Sequence, residues 1–375
     1  REFRTAQLVA EQLKSFGLEV QTGVARTGVV GILRGTQDRP VVALRADMDA
    51  LPVTEALDLP FASQEKATYN GKETGVMHAC GHDAHTAILL GVAKIFSRLR
   101  EQIPGTVKFI FQPAEEGAPE GEESGAALMI KQGVLENPKP DVIFGLHTRV
   151  YPTGTISYRP GPAMASSDTL SITIHGRQTH GARPWDGVDP IVTAAQIILG
   201  LQTVVSRQTD LTESPAVVTI GIIRGGVRSN IIPDEVEMTG TIRTLDVKMR
   251  DVIQEQVKRT VVHIAESAGA AAEARITPGY PVTVNDPALT ARMVPVFEKI
   301  AGKEKVSIAP AATGAEDFSY YEQQIPGLYF FLGVTPPDQD WTQAPVNHSP
   351  LFFVDENALL TGVRALAGVA VEYMK

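Results

Sequence analysis

Four short, nearly continuous apolar runs constrain this chain most: Val29 to Leu33, Val41 to Leu44, Val107 to Phe111 and Val142 to Leu146. Runs of this length without clean alternation are the pattern of strands covered on both faces. A helical pattern from about Thr86 to Leu99 separates the second run from the third, and an earlier one carries Leu8, Val9, Leu13 and Phe16 before Gly17 closes it. Strands and helices in this order predict an α/β domain on a mostly parallel sheet, with its working groups just beyond the carboxyl ends of the strands. Asp47 and Asp49 follow one run, Glu115 and Glu116 another, and His147 a third. These polar groups are expected along one edge of the sheet.

Between the second and third runs lies His78-Ala79-Cys80-Gly81-His82-Asp83, which sets the only cysteine two residues from a histidine. Thiolate and imidazole are strong ligands for zinc-like ions, and a Cys-x-His pair on a loop can aim both at one centre. Taken singly, Cys80 reads as a small buried hydrophobe, Glu115-Glu116 as solvated surface and His147 as a core histidine. Taken together they read differently, because a buried strand that ends in His or Glu-Glu carries polar groups that need partners. With Asn347-His348-Ser349 from far along the chain, the pattern points to a two-metal hydrolase.

At 375 residues the chain is long for one core. Its character changes near Pro160-Gly161-Pro162. From there the order is strand (Leu170 to Ile174), helix (Pro190 to about Ser206), strands (Val217 to Ile223, Val236 to Ile242), helix (about Met249 to Ser267) and strand (Ala274 to Ile276). This β-α-β-β-α-β order is ferredoxin-like. We therefore expect a catalytic domain, 1–164 and 279–375, split around an inserted domain, 165–278. Dispersed acidic residues and a net charge of −9 argue against nucleic acid as a partner. No membrane helix is expected, since no apolar run approaches the roughly 18 residues of a span. A lone thiol that must stay reduced to hold metal favours a cytoplasmic home. The chain begins without methionine, so an incomplete start is expected.

The motifs Leu44 to Pro52, His78 to Asp83, Gln112 to Gly117, Gly145-Leu146-His147, Thr179-His180-Gly181-Ala182, Asn230 to Pro233 and Asn347 to Pro350 carry a family resemblance. In order, they resemble the metal-dependent amidohydrolase/aminoacylase branch of the carboxypeptidase G-like peptidase family, to which hippurate hydrolase and indole-acetyl-amino-acid hydrolases belong. The resemblance implies a metallo-exopeptidase-like catalytic domain and an inserted domain that acts as lid and dimerisation platform. It implies two divalent ions (Zn, Mn, Co or Ni) held by Cys80, His82, Glu116, His147 and His348, with Glu115 as general base. Relatives outside this branch use His-x-Asp where this chain has Asp47-Met48-Asp49, so Asp47 is doubtful as a ligand. Asp49 fits a carboxylate that orients a ligand histidine. In the inserted domain, the resemblance implies that His180 reaches toward the scissile carbonyl, often across a homodimer, and that Asn230 and Arg243 hold the substrate carboxylate.

Five ligands cannot give two separate metals three each, so one is expected to bridge, Cys80 or Glu116. Bound metal lowers the pKa of water from about 15.7 to near 7. The resulting hydroxide would attack an amide, with Glu115 moving the proton to the leaving nitrogen. The expected reaction is hydrolysis of an N-acyl amino acid to a carboxylic acid and an amino acid. Dipeptidase or carboxypeptidase action is the nearest alternative. A cysteine hydrolase using Cys80 and a non-catalytic metal-dependent binding module are rivals of other kinds.

Overall fold

A computed structural model describes residues 2–118, 121–123 and 125–375. The chain divides into two compact units, one of Arg1–Gly161, Val284–Pro310 and Asp317–Lys375, the other of Pro162–Thr283 and Ala311–Glu316.

The first unit is built on an eight-stranded sheet in the order Glu19–Val24, Gly28–Arg34, Thr106–Gln112, Val41–Asp47, Val142–Pro152, Gly327–Thr335, Ile156–Tyr158, Val306–Ile308. Its four central strands, Thr106–Gln112 to Gly327–Thr335, run parallel, so their carboxyl ends share one edge. The run Val29 to Leu33 departs from the parallel expectation. It enters through a hairpin from Glu19–Val24 and pairs antiparallel with Thr106–Gln112.

Residues of the central strands alternate between two environments. Val42, Leu44, Phe109, Phe144 and Phe330 join one apolar cluster with the long helices Phe3–Ser15, His82–Arg98, Pro287–Ala301 and Leu359–Met374. Alternate positions bury Arg45, Lys108 and Gln112 instead. These strands are therefore not wholly apolar, and these three side chains are satisfied from within. Lys108 Nζ donates to Val134 O at 2.8 Å and Glu136 O at 2.6 Å. Arg45 donates to Gln112 Oε1, Asp47 Oδ2 and Asp317 Oδ1 at 2.9, 2.6 and 2.8 Å.

The second unit holds a four-stranded antiparallel sheet in the order Ala216–Gly225, Glu235–Thr244, Asp168–His175, Ala271–Pro278. The helices Pro190–Gln208 and Val247–Ser267 share its core. By length and composition Pro190–Gln208 could cross a membrane. Here its buried Thr193, Ala194, Ile197, Leu201 and Val204 fall on one helical face and fill this core.

Candidate metal centre

Three loops at the carboxyl edge of the sheet are shaped by left-handed residues. Gly81, at φ 86°, starts the helix His82–Arg98, and a Cβ there would lie 2.2 Å from Thr148 Oγ1. Only glycine fits both the angle and the space. After Thr106–Gln112 and Pro113, the chain leaves the extended form at Ala114, φ 51°, and so redirects Glu115 and Glu116. His348 adopts φ 73°, and its N–H donates to Ala79 O at 2.7 Å, which ties its loop to that of Cys80. At Ala114 and His348, which are not glycine, this conformation costs about 1–3 kcal/mol each and persists where the surroundings impose it, often at functional sites.

These loops bring the donor atoms of Cys80, His82 and His147 within 4.8 Å of one another, and likewise those of Cys80, Glu116 and His348. Cys80 is common to both triads. A third group, His82, Glu115 and Glu116, meets the same limit. Cys80 Sγ is 3.4 Å from His147 Nε2, and His348 Nε2 is 3.0 Å from Glu116 Oε1.

The hydrogen bonds leave the histidines poised as ligands. His82 Nδ1 faces Asp49 Oδ1 at 3.0 Å and Asp49 O at 3.1 Å, and its buried Nε2 has no partner. His147 Nδ1 donates to Thr148 O at 2.6 Å, which keeps its Nε2 lone pair free to face Cys80. Asp49 also accepts the Glu116 N–H on Oδ2 at 2.9 Å, so one carboxylate orients two candidate ligands. A buried imidazole nitrogen without a partner, beside a thiol and carboxylates, is the donor set of a divalent transition metal, and these residues fit one.

Electrostatics agree with that fit for His147, whereas at His82 burial works against the charge but Asp47 and Asp49 outweigh it and hold the ring well above the usual histidine range. Burial holds His147 well below the usual histidine range, so its ring is neutral. Burial also pushes the Cys80 thiol up to about 12. A thiol so held is protonated near neutrality and is a poor nucleophile, which weighs against the cysteine-hydrolase rival. Asp49 lies below its ordinary value: burial works against its charge, but the bond from His82 outweighs it.

Asp47 joins a different arrangement. It is fully buried, and its oxygens are taken by Arg45 at 2.6 Å and by His85 Nδ1 at 2.6 Å. His85 and Thr148 were not among the residues the sequence singled out. The available signal was the spacing of His82 and His85, three apart on one helix face. In the second unit, His180 and Asn230 lie together. Thr179–His180 pairs with Ile231–Ile232, and Gly181 N–H donates to Asn230 O at 2.8 Å. Both residues are exposed. Arg243 lies apart from them in the four-stranded sheet, with Nη1 buried and without a hydrogen-bond partner.

Residues 43–372 match Peptidase family M20/M25/M40. The chain belongs to this family. It is 42% identical over 376 residues to thermostable carboxypeptidase 1 of Saccharolobus solfataricus, covering 100% of this chain and 91% of that protein. It is 38% identical over 373 residues to an N-acetylcysteine deacetylase of Bacillus subtilis, covering 99% and 92%. The crystal structure of the Bacillus subtilis YXEP protein, described as a dinuclear metal binding peptidase of the M20 family, superposes with a TM-score of 0.80 at 35% identity, covering 100% of this chain and 93% of that one. For an M20 chain the mixed α/β fold on a large, mostly parallel-centred sheet is the expected one.

Proposed function

We propose that the chain is a metal-dependent amidohydrolase that cleaves N-acyl amino acids to a carboxylic acid and a free amino acid. The observation that carries this reading is the pair of donor triads sharing Cys80, with Glu115 beside them. Cys80, His82 and His147 would hold one divalent ion, and Cys80, Glu116 and His348 a second. The ions would supply Lewis acidity and lower the pKa of water.

Glu115 has the place of the general base. Its carboxylate takes a proton from the attacking water and passes it to the amide nitrogen as the C–N bond breaks. His147 keeps its Nε2 unprotonated because Thr148 O holds the Nδ1 hydrogen, whereas His82, directed by Asp49 at Nδ1, would give up its Nε2 proton to a bound ion. His180 is assigned to the developing oxyanion, and Asn230 and Arg243 to the substrate carboxylate. A guanidinium fork suits a carboxylate, and Arg243 Nη1 has no partner of its own.

The names of the relatives suggest the substrate class. A carboxypeptidase and an N-acyl amino acid deacetylase both cut an amide whose nitrogen belongs to an amino acid with a free carboxylate. Carboxypeptidase action is therefore a second reading, favoured by the 42% identical relative. A panel of acetyl, benzoyl, indole-acetyl and dipeptide substrates, each with Zn, Mn, Co and Ni, separates the two. N-Acyl amino acids should be turned over with the highest kcat/KM; no hydrolysis of any member with any metal would refute both.

The second unit is proposed as the homodimer platform. Ala216–Gly225 is an edge strand with Ile222 and Ile223 47% and 52% exposed, and Leu199 on Pro190–Gln208 is 70% exposed. An apolar edge strand is a template for pairing with a second copy. A monomeric mass in solution would refute this. The thiol ligand favours a reducing compartment, the cytoplasm.

A further inference from the structure

Under the candidate ligands runs a line of buried contacts that metal binding does not account for. Arg45 Nη1 holds Asp47 Oδ2, and Asp47 Oδ1 accepts from His85 Nδ1 at 2.6 Å. On its far side His85 Nε2 lies 2.8 Å from the backbone nitrogen of Thr148. A backbone N–H can only donate, so His85 Nε2 must carry a lone pair and Nδ1 the hydrogen. The ring is thus fixed in one neutral tautomer with both nitrogens spent.

That excludes His85 as a ligand, although its ring centroid is 5.3 Å from that of His82 and 4.7 Å from that of His147. Its reach is indirect and runs through Thr148. The Thr148 carbonyl accepts the His147 Nδ1 hydrogen at 2.6 Å, and the Thr148 hydroxyl donates to Cys80 O at 3.1 Å. One residue thereby sets the direction of the His147 ring and the height of the loop that carries Cys80. Gly81 packs against the same hydroxyl with no room for a Cβ.

We propose that His85 is a positioning residue: anchored by Asp47, it clamps the Thr148 peptide and through it aims His147 and Cys80 at the metal. The inference rests on the reading of Cys80 and His147 as ligands, and it gives the chain's buried Arg45-Asp47-His85 line a task in the reaction. His85 itself touches neither metal nor substrate.

The test compares His85→Gln with His85→Asn in protein stripped of metal and reloaded with cobalt(II). Affinity is read by competition with a chromophoric chelator, and geometry by the cobalt d–d bands and the thiolate-to-cobalt absorption. Glutamine can place Oε1 where Nε2 stood and accept the Thr148 N–H; asparagine reaches only Asp47. Asparagine should therefore lose about 10- to 100-fold in cobalt affinity and shift the d–d bands, the usual result of removing a partner that orients a ligand. Glutamine should recover most of both. Thr148→Val should also weaken binding and Thr148→Ser should match the unaltered chain, which keeps the test alive if the His85 variants fail to fold. Wild-type affinity and spectrum in folded His85→Asn, or glutamine no better than asparagine, would overturn the proposal. Absence of thiolate-to-cobalt absorption in the unaltered chain would instead remove the ligand reading beneath it.

Discussion

Asp49→Asn tests the electrostatic logic of the site most directly. The carboxylate is 5% exposed and offers two acceptors, Oδ1 to His82 Nδ1 at 3.0 Å and Oδ2 to the Glu116 N–H at 2.9 Å. An asparagine of the same shape offers one acceptor and one donor. If its oxygen serves His82, its NH2 group faces the Glu116 N–H, donor against donor. If its oxygen serves Glu116, the NH2 faces His82 Nδ1, and the imidazole keeps its hydrogen there only through Asp49 O at 3.1 Å. The alternative tautomer would put the hydrogen on Nε2, the nitrogen assigned to metal. A buried donor left unmatched costs about 1–3 kcal/mol. Without metal the Glu116 loop can relax away from the conflict, so the cost falls on metal binding. At about 1.4 kcal/mol per tenfold, affinity should drop roughly 5- to 150-fold. Isothermal titration of metal into stripped protein, with circular dichroism to confirm the fold, measures it. Affinity unchanged from that of the parent chain would refute the claim that Asp49 orients the two ligands.

Other expected outcomes are as direct. Glu115→Gln should retain metal and lose roughly 10²- to 10⁴-fold in kcat, whereas Glu116→Gln should lose metal first; elemental analysis showing the reverse would exchange the two roles. Chelation should abolish hydrolysis and added divalent metal restore it. Because burial holds the Cys80 thiol up at about 12, metal uptake should release its proton, and Cys80→Ser should take up metal without that release. Full activity in verified metal-free protein would end the metal reading. Asp317→Asn removes a carboxylate that accepts from Arg45, Gln112 and the Ala126 N–H, each at 2.8 Å. With one buried donor orphaned and two bonds reduced from charged to neutral, the first unit should lose about 3 kcal/mol in urea denaturation; a loss under about 1 would show that the network is not strained by the change. His180→Ala should lower kcat with metal content unchanged, and a fall in metal content would argue for a structural role.

The candidate ligands were legible because Cys, His and Glu beside buried apolar runs have no apolar task there, although His147 lies inside its strand, Val142–Pro152, and Cys80 and His348 sit in turns. The turn at Ala114 was foreseeable too, since two adjacent carboxylates cannot face one centre from an extended strand. The polar side of the sheet was harder to see. Arg45 and Lys108 interrupt apolar runs, and each interruption was the trace of a buried charge. Part of what satisfies them, Asp317 for Arg45 and two carbonyls for Lys108, comes from 272, 26 and 28 positions away and leaves no local pattern. His85 was hidden for a related reason. A histidine in the first turn of an apolar helix looks like a variation in that helix until Asp47 and the Thr148 peptide are seen on either side of it. The inclusion of Ala311–Glu316 in the second unit is another long-range fact with no mark in the sequence.

The Asp47-Met48-Asp49 stretch shows how these levels meet. Where relatives outside the branch are expected to place a ligand histidine, this chain has an aspartate, and that aspartate is not free to replace it. Asp47 is held by Arg45 and His85, and though burial works against its charge, His82, His85 and Arg45 keep it well below the carboxylate range. A candidate imidazole lies nearby in His82, two residues after Cys80, with Asp49 Oδ1 facing its Nδ1. The carboxylate at 47 is thus committed to Arg45 and His85. Asp47→His should consequently fail to create a new ligand. It would face Arg45 and His85 with a ring where they need a carboxylate, and leaving Arg45 with one buried partner fewer should cost about 3–5 kcal/mol of stability. Metal affinity maintained or raised in a stably folded Asp47→His would refute that coupling.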